Sequence, residues 1–136
     1  MPPLNHAVLS ASSAYRWLEC PPSALATADI PDETTIYAQE GSAAHEMAEY
    51  KIRWHLGEKD LAPPNIGNFH AEEIDRYTDS YAYYATDKIE TIRKICPDAI
   101  VMVEQRLDFS NYVKDGFGTG DLVIVADDVM QVEQKR

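Results

Sequence analysis

Residues 121–135 read DLVIVADDVMQVEQK, and this stretch decides the sheet of the protein. An apolar run from Leu122 to Val125 is followed by Asp127 and Asp128, and a second β-forming run begins at Val129. Two such runs joined by a short acidic segment are typical of a β-hairpin. We therefore predict two antiparallel strands here.

The residues before the hairpin complete the fold prediction. A further strand is predicted from Ile100 to about Leu107, which extends the hairpin to a β-meander over about residues 99–136. Helices are predicted over about residues 14–20, 39–56 and 72–96. The third is the clearest, because apolar side chains recur with a period near 3.6 at Ile74, Tyr77, Tyr81, Tyr84, Ile89, Ile92 and Ile95. We expect this tyrosine stripe to form the core face of the helix, with the polar tips of the tyrosines reaching water.

We expect one domain of the α/β class over residues 1–136. The helical part covers about residues 10–96 and packs on one side of the short antiparallel meander. Tyr15 and Leu18 of the first helix are expected to pack inward, and Cys20 to be a small buried residue at that helix's end. Because an unpaired last strand presents open N–H and C=O groups, we expect self-association through residues 129–136, or cover of that edge by the chain's own N-terminus.

Composition and charge exclude several classes of protein. The 136 residues are 45% hydrophobic and 26% charged, as in ordinary globular chains. No apolar run approaches the roughly 20 residues that cross a membrane, and the N-terminus lacks the pattern of a secretory signal. Two cysteines are too few for a disulfide framework, so a cytoplasmic location is the default. The net charge of −11 argues against a general nucleic-acid-binding surface, although acidic metal sites can invert the local field.

The hairpin also carries the first candidate site. Asp121 on one strand is followed by Glu133 and Lys135 on the next, and the last two share a strand face. Two carboxylates can hold Mg²⁺, and a lysine can position or polarise an attacking water. A solvated hairpin with no chemistry explains the same three residues.

The length of the hairpin loop decides whether Asp121 and Glu133 meet. A two-residue loop pairs Ala126 with Val129 and sets Asp121 opposite Gln134. A three-residue loop pairs Val125 with Val129 and sets Asp121 opposite Glu133. The metal chemistry requires the three-residue loop, and we predict that register.

The second helix carries a second candidate. His45 and Glu49 are four residues apart and therefore share a helix face. His45 can be a nitrogen ligand, and Glu49 can orient the imidazole or bind through water. A surface His–Glu pair is the alternative.

Three features in order give a family resemblance. They are Ser10 to Pro21, the Gly41-to-His45 segment, and Gly120-Asp121 followed by Glu133-Gln134-Lys135. This order resembles the RecB-like branch of the PD-(D/E)XK nuclease superfamily, in particular phage-associated proteins of unknown function. The likeness covers nearly the whole chain, and residues 103–107 resemble the strand before the Gly-Asp element.

The resemblance implies an incomplete restriction-endonuclease-like core and a metal-dependent DNA nuclease, or the N-terminal portion of one. His45, Asp121, Glu133 and the backbone carbonyl of Gln134 would bind Mg²⁺ or Mn²⁺, and Lys135 would be catalytic. DNA would be the substrate, bound weakly without further residues or a partner protein.

The chain also departs from the family pattern. Those proteins continue past the lysine into further strands and a helix with a Q-x-x-x-Y motif, which this sequence lacks. Several bind an iron–sulfur cluster through four cysteines, but only Cys20 and Cys96 are present, so no cluster is expected. A non-catalytic remnant serving as a protein interaction module is the alternative function. An acidic DNA mimic is a third, and it rests on charge alone.

Overall fold

The computed structural model describes residues 7–31, 35–67 and 69–127, together with the backbone of residues 129–133. Over these residues the protein is a mixed α/β structure, as predicted. One turn of 3-10 helix, Ala11–Ser13, precedes the main elements. These are α1 Ala14–Glu19, α2 Pro22–Ala26, α3 Ile36–His55, α4 Ala71–Ile95, β1 Ile100–Asp108, β2 Phe117–Ala126 and β3 Val129–Glu133.

Helix α4 confirms the prediction of a long third helix almost to the residue. It has 25 residues, with Glu72 and Glu73 in its first turn and Arg93 and Lys94 in its last. Acidic residues near the N-terminus and basic residues near the C-terminus both complement the helix dipole. Cys96 ends the helix, directly before Pro97.

The buried face of α4 is rotated from the predicted tyrosine stripe. Its buried residues are Ile74, Thr78, Ala85 and Ile89, and Tyr81 packs partly buried against the core. The prediction was wrong for three members of the stripe, since Tyr77, Tyr84 and Ile95 are exposed. Two small residues, Thr78 and Ala85, share the buried face with Ile74 and Ile89. Ala43, Ala48 and Ile52 form the buried face of α3.

Helix α3 begins one turn earlier than predicted, at Ile36 rather than Gln39. The Thr35 hydroxyl accepts a hydrogen bond from the Ala38 amide at 3.1 Å and so caps the helix. Its end at His55 is close to the predicted one, and Gly57 follows with a φ of 109°. A glycine in this left-handed conformation is a common helix terminator.

A charged network ties α3 to α4. The Lys51 ammonium donates to the carboxylates of Asp75 at 2.7 Å and Asp79 at 2.6 Å, and to the Thr78 hydroxyl at 2.9 Å. Burial lowers the pKa of Lys51, but the hydrogen bonds to Asp75 and Asp79 outweigh it, and the pKa lies above its ordinary value. The network stabilises the charged lysine and fixes the two helices against each other.

The first helices depart most from prediction. Helix α2 is not among the predicted helices; it begins at Pro22, and proline is well accommodated in the first turn of a helix. Tyr15 and Leu18 are 77% and 67% exposed, and Cys20 is exposed, so these three burial predictions were wrong. Trp17 of α1 is half-buried, and its indole Nε1 donates to the Ser10 carbonyl at 2.9 Å.

The sheet has the order β1-β2-β3 and is antiparallel. Strand β2 is its centre, and Leu122, Val123 and Ile124 are almost fully buried. The main core cluster joins this strand to the helices and to β1. Its members are Ile52, Ala85, Ile89, Ala99, Val103, Leu122 and Ile124.

The register of β2 and β3 corrects the predicted hairpin. Ala126 pairs with Val129 and Leu122 pairs with Glu133, so only two positions connect the paired residues. The predicted three-residue loop was therefore wrong. Two-residue connections are favoured because their backbone twist matches the right-handed twist of the strands.

By internal contacts the described residues divide into two compact units. One comprises residues 7–31 and 105–120, and the other comprises residues 35–104 and 121–133. The second unit contains α3, α4 and the core cluster. No helix within the described part of the chain is long and apolar enough to cross a membrane.

Candidate metal centre

Three side chains from three different elements meet in the second unit. They are His45 on α3, Glu104 on β1 and Asp121 on β2. The His45 Nδ1 atom lies 3.6 Å from Asp121 Oδ1 and 4.0 Å from Glu104 Oε1. All three ligand atoms lie within 4.8 Å of one another.

The three side chains differ in how far they are buried. The Asp121 side chain is 11% exposed, Glu104 is 23% exposed and His45 is 47% exposed. Two carboxylates held this close in a partly buried place repel each other, and a cation between them removes that repulsion. The exposed imidazole marks the side from which a ligand can enter.

The donor set suits a hard divalent cation. Two carboxylate oxygens are ligands that Mg²⁺ and Mn²⁺ prefer, and an imidazole nitrogen shifts the preference toward Mn²⁺. For bonds of about 2.1 Å, adjacent ligands of an octahedral ion lie about 3.0 Å apart and opposite ligands about 4.2 Å apart. The two separations from His45, 3.6 and 4.0 Å, fall between these values, and all three ligand atoms lie within 4.8 Å of one another, so the three groups would have to draw closer together to bind one ion.

The backbone of Glu104 is unusual. Its φ is 52°, although it lies within β1, and positive φ is uncommon for a residue other than glycine. Such local strain often occurs where a strand must redirect a side chain at a functional site. The direction in which the Glu104 carboxylate points therefore depends on a conformation that costs free energy.

A neighbouring network contacts the backbone beside Glu104. The Arg53 Nη2 atom donates to the Val103 carbonyl at 3.1 Å, and its Nε atom donates to Glu49 at 2.7 Å. The Glu58 carboxylate accepts a longer bond at 3.4 Å. The hydrogen bond to Glu49 raises the pKa of the Arg53 guanidinium above its ordinary value, despite the opposing effect of burial.

The structure brings some of the predicted site residues together and not others. His45 and Asp121 come together as predicted. Glu133 lies opposite Leu122 and not opposite Asp121, so the pairing on which its role depended was wrong, and its side chain lies outside the described part. Gln134 and Lys135 also lie outside the described residues, so their roles stay predictions.

Two further acidic residues, Glu49 and Glu104, belong to the site or to the network beside it. The predicted action of Glu49 on His45 stays a prediction, and the contact that the structure shows is with Arg53. Glu104 was not predicted as a ligand. The available signal was an acidic residue, Glu104, in the strand before the Gly-Asp element, but nothing in the sequence indicates its left-handed backbone.

The fold and the cluster are those of a mixed α/β protein with a candidate His/Glu/Asp metal centre. The chain belongs to the family described as Protein of unknown function (DUF2800), whose model matches residues 6–135. No solved structure matches the chain.

Proposed function

We propose that this protein binds a divalent cation, Mn²⁺ or Mg²⁺, and uses it to hydrolyse phosphodiester bonds of DNA. The observation that carries the proposal is the convergence of His45, Glu104 and Asp121 from three elements. Ligands contributed by separate elements of a fold are held apart and in place by the core, which favours a defined ion site over a diffuse acidic surface.

The proposed site leaves room for a substrate. His45, Glu104 and Asp121 would hold the ion from the protein side and would leave its other side open to water and a phosphate oxygen. A divalent cation held there would supply the charge that polarises a phosphate and activates water for attack. Asp121 and Glu104 would hold the ion by charge, and His45, on the exposed side, would fix its position next to the substrate.

DNA is proposed as the substrate on the basis of the sequence motifs. The ordered motifs resemble the RecB-like nucleases, and Lys135 stands two residues after an acid, as in their (D/E)-x-K element. In the proposed reaction Lys135 holds the attacking water and stabilises charge that develops on the phosphate.

The charge of the chain shapes the expected behaviour on DNA. A net charge of −11 repels a polyanion, so affinity must come from the ion and its immediate surroundings. Few phosphate contacts by lysine or arginine mean that few counterions are released on binding. We therefore expect weak binding whose affinity changes little with salt concentration.

The test is degradation of linear single- and double-stranded DNA by the purified chain with Mn²⁺, run beside a calorimetric titration of Mn²⁺. Asp121→Asn is expected to abolish both cleavage and ion binding, and Lys135→Ala is expected to abolish cleavage alone. Asp87→Asn on the exposed side of α4 removes the same charge and is expected to change neither. Ion binding without cleavage would refute the nuclease proposal and favour a non-catalytic interaction module, and absence of ion binding would refute the metal centre.

A further inference from the structure

We infer that Arg53 is a positioning residue that fixes the backbone of Glu104 and thereby aims its carboxylate at the proposed metal centre. This inference rests on the proposed function, because Arg53 would act on a proposed metal ligand. The way in which Arg53 acts is argued from its hydrogen bonds. Arg53 itself is not proposed as a ligand of the metal.

The mechanism follows from which atoms Arg53 holds. The Val103 carbonyl accepts from Arg53 Nη2 at 3.1 Å, and this carbonyl lies in the peptide plane that joins Val103 to the nitrogen and Cα of Glu104. The φ angle of Glu104 is the rotation about the bond between that nitrogen and that Cα. A hydrogen bond that holds the plane in one orientation therefore restrains φ, which here takes the strained value of 52°.

The guanidinium is itself held in place from two sides. Glu49 accepts from Nε at 2.7 Å, one helical turn before Arg53, and Glu58 accepts from Nη1 at 3.4 Å. The planar guanidinium can donate in three directions at once, which an ammonium on a flexible chain cannot do with the same rigidity. The network thus runs from Glu49 through Arg53 to the Val103 carbonyl, in the peptide that precedes Glu104.

Metal affinity gives the first test. Groups that orient a ligand typically change metal affinity by roughly 10–100-fold when they are removed, and we expect a loss of that size for Arg53→Met. Lys51→Met is the matched control, because Lys51 is a part-buried cation on the same helix whose network leads to α4. It is expected to lower stability and leave the Mn²⁺ affinity unchanged.

A double-mutant cycle separates positioning from a general structural effect. If Arg53 acts through Glu104, Arg53→Met is expected to cause no further loss of Mn²⁺ affinity in a Glu104→Ala chain. An equal loss in both chains would overturn the inference, as would an unchanged affinity in Arg53→Met alone. If Arg53→Met does not fold, Arg53→Lys takes its place. The losses of Mn²⁺ affinity are then expected to follow the same pattern and to be smaller.

A metal-free measurement keeps this inference distinct from the proposed function. At a left-handed position glycine is favoured over alanine, and we expect the unfolding equilibrium constant of Glu104→Gly to be roughly two- to fivefold below that of Glu104→Ala. With Arg53→Met added, residue 104 is free to relax to an ordinary strand conformation, and the preference for glycine is expected to disappear. A preference that survives would overturn the role of Arg53, whereas failure of the wild-type chain to bind Mn²⁺ would refute the metal centre alone.

Discussion

Replacing Glu104 with glycine and, separately, with alanine is expected to leave the glycine variant the more stable of the two. Both variants lose the carboxylate, so its repulsion with Asp121 is relieved equally and cancels in the comparison. The two chains then differ only in how well residue 104 tolerates a φ of 52°.

The magnitude follows from two opposing terms. A left-handed conformation costs a residue with a Cβ roughly 1–2 kcal/mol, and glycine avoids that cost. Glycine is also more flexible in the unfolded chain, which costs about 0.5–1 kcal/mol relative to alanine. The net advantage of glycine at position 104 is about 0.5–1 kcal/mol, which for a chain of this size raises the melting temperature by roughly 2–4 °C.

Urea unfolding of the two variants, followed by circular dichroism, measures this difference. Gln105 is the matched control, because it is the next residue of the same strand and is not among the described positions with positive φ. At Gln105 the order is expected to reverse, with the glycine variant less stable than alanine by about 0.5–1 kcal/mol. Alanine more stable than glycine at both positions would refute the strained backbone at Glu104.

Other predictions concern the helices, the core and one turn. Lys51→Met is expected to lower the free energy of unfolding by about 1–2 kcal/mol. Because folding raises the pKa of Lys51 above 10.5, that contribution is fully present below pH 10.5 and is lost as the pH rises through the folded-state value; a difference between the two chains that persists far above 10.5 would count against it. Gly41→Ala, with open space around the added Cβ and a position inside α3, is expected to raise stability by about 1 kcal/mol. Gly116→Ala, whose Cβ would lie 2.7 Å from the Phe109 ring, is expected to lower stability by about 1–3 kcal/mol, and equal effects of the two alanines in urea melts would contradict both. Ile52→Ala, at a fully buried position, is expected to cost about 2–5 kcal/mol by the same measurement, and a cost below that of a surface substitution would argue against its place in the core.

The sequence predicts best where a local pattern is long and has clear ends. Helix α4 has 25 residues, an acidic first turn and a proline after its end, and its bounds were predicted within one residue. Its buried face was predicted less well, because tyrosine is apolar enough to mimic a core position and Thr78 and Ala85 are too small to mark one. Which of two adjacent stripes is buried depends on the shape of α3, which no pattern within α4 records.

Only part of the candidate site could be predicted from the sequence, for a related reason. His45 and Asp121 could be proposed from motifs, whereas the pairing of Asp121 with Glu133 depended on one residue in a loop. A hairpin register changes by a whole residue when the loop does, so a chemical argument for the longer loop could not decide it. Glu104 was missed because its placement depends on a backbone angle and on the remote side chain of Arg53.

The metal centre is tested most directly by titrating Mn²⁺ calorimetrically into the wild-type chain and into Glu104→Gln. Glu104 distinguishes the centre described by the structure from one built on His45, Asp121 and Glu133 alone. We expect a single Mn²⁺ site in the wild-type chain, with affinity that falls steeply in Glu104→Gln and is unchanged in the control Asp87→Asn. Wild-type affinity retained in Glu104→Gln, or no binding by the wild-type chain, would contradict a centre formed by His45, Glu104 and Asp121.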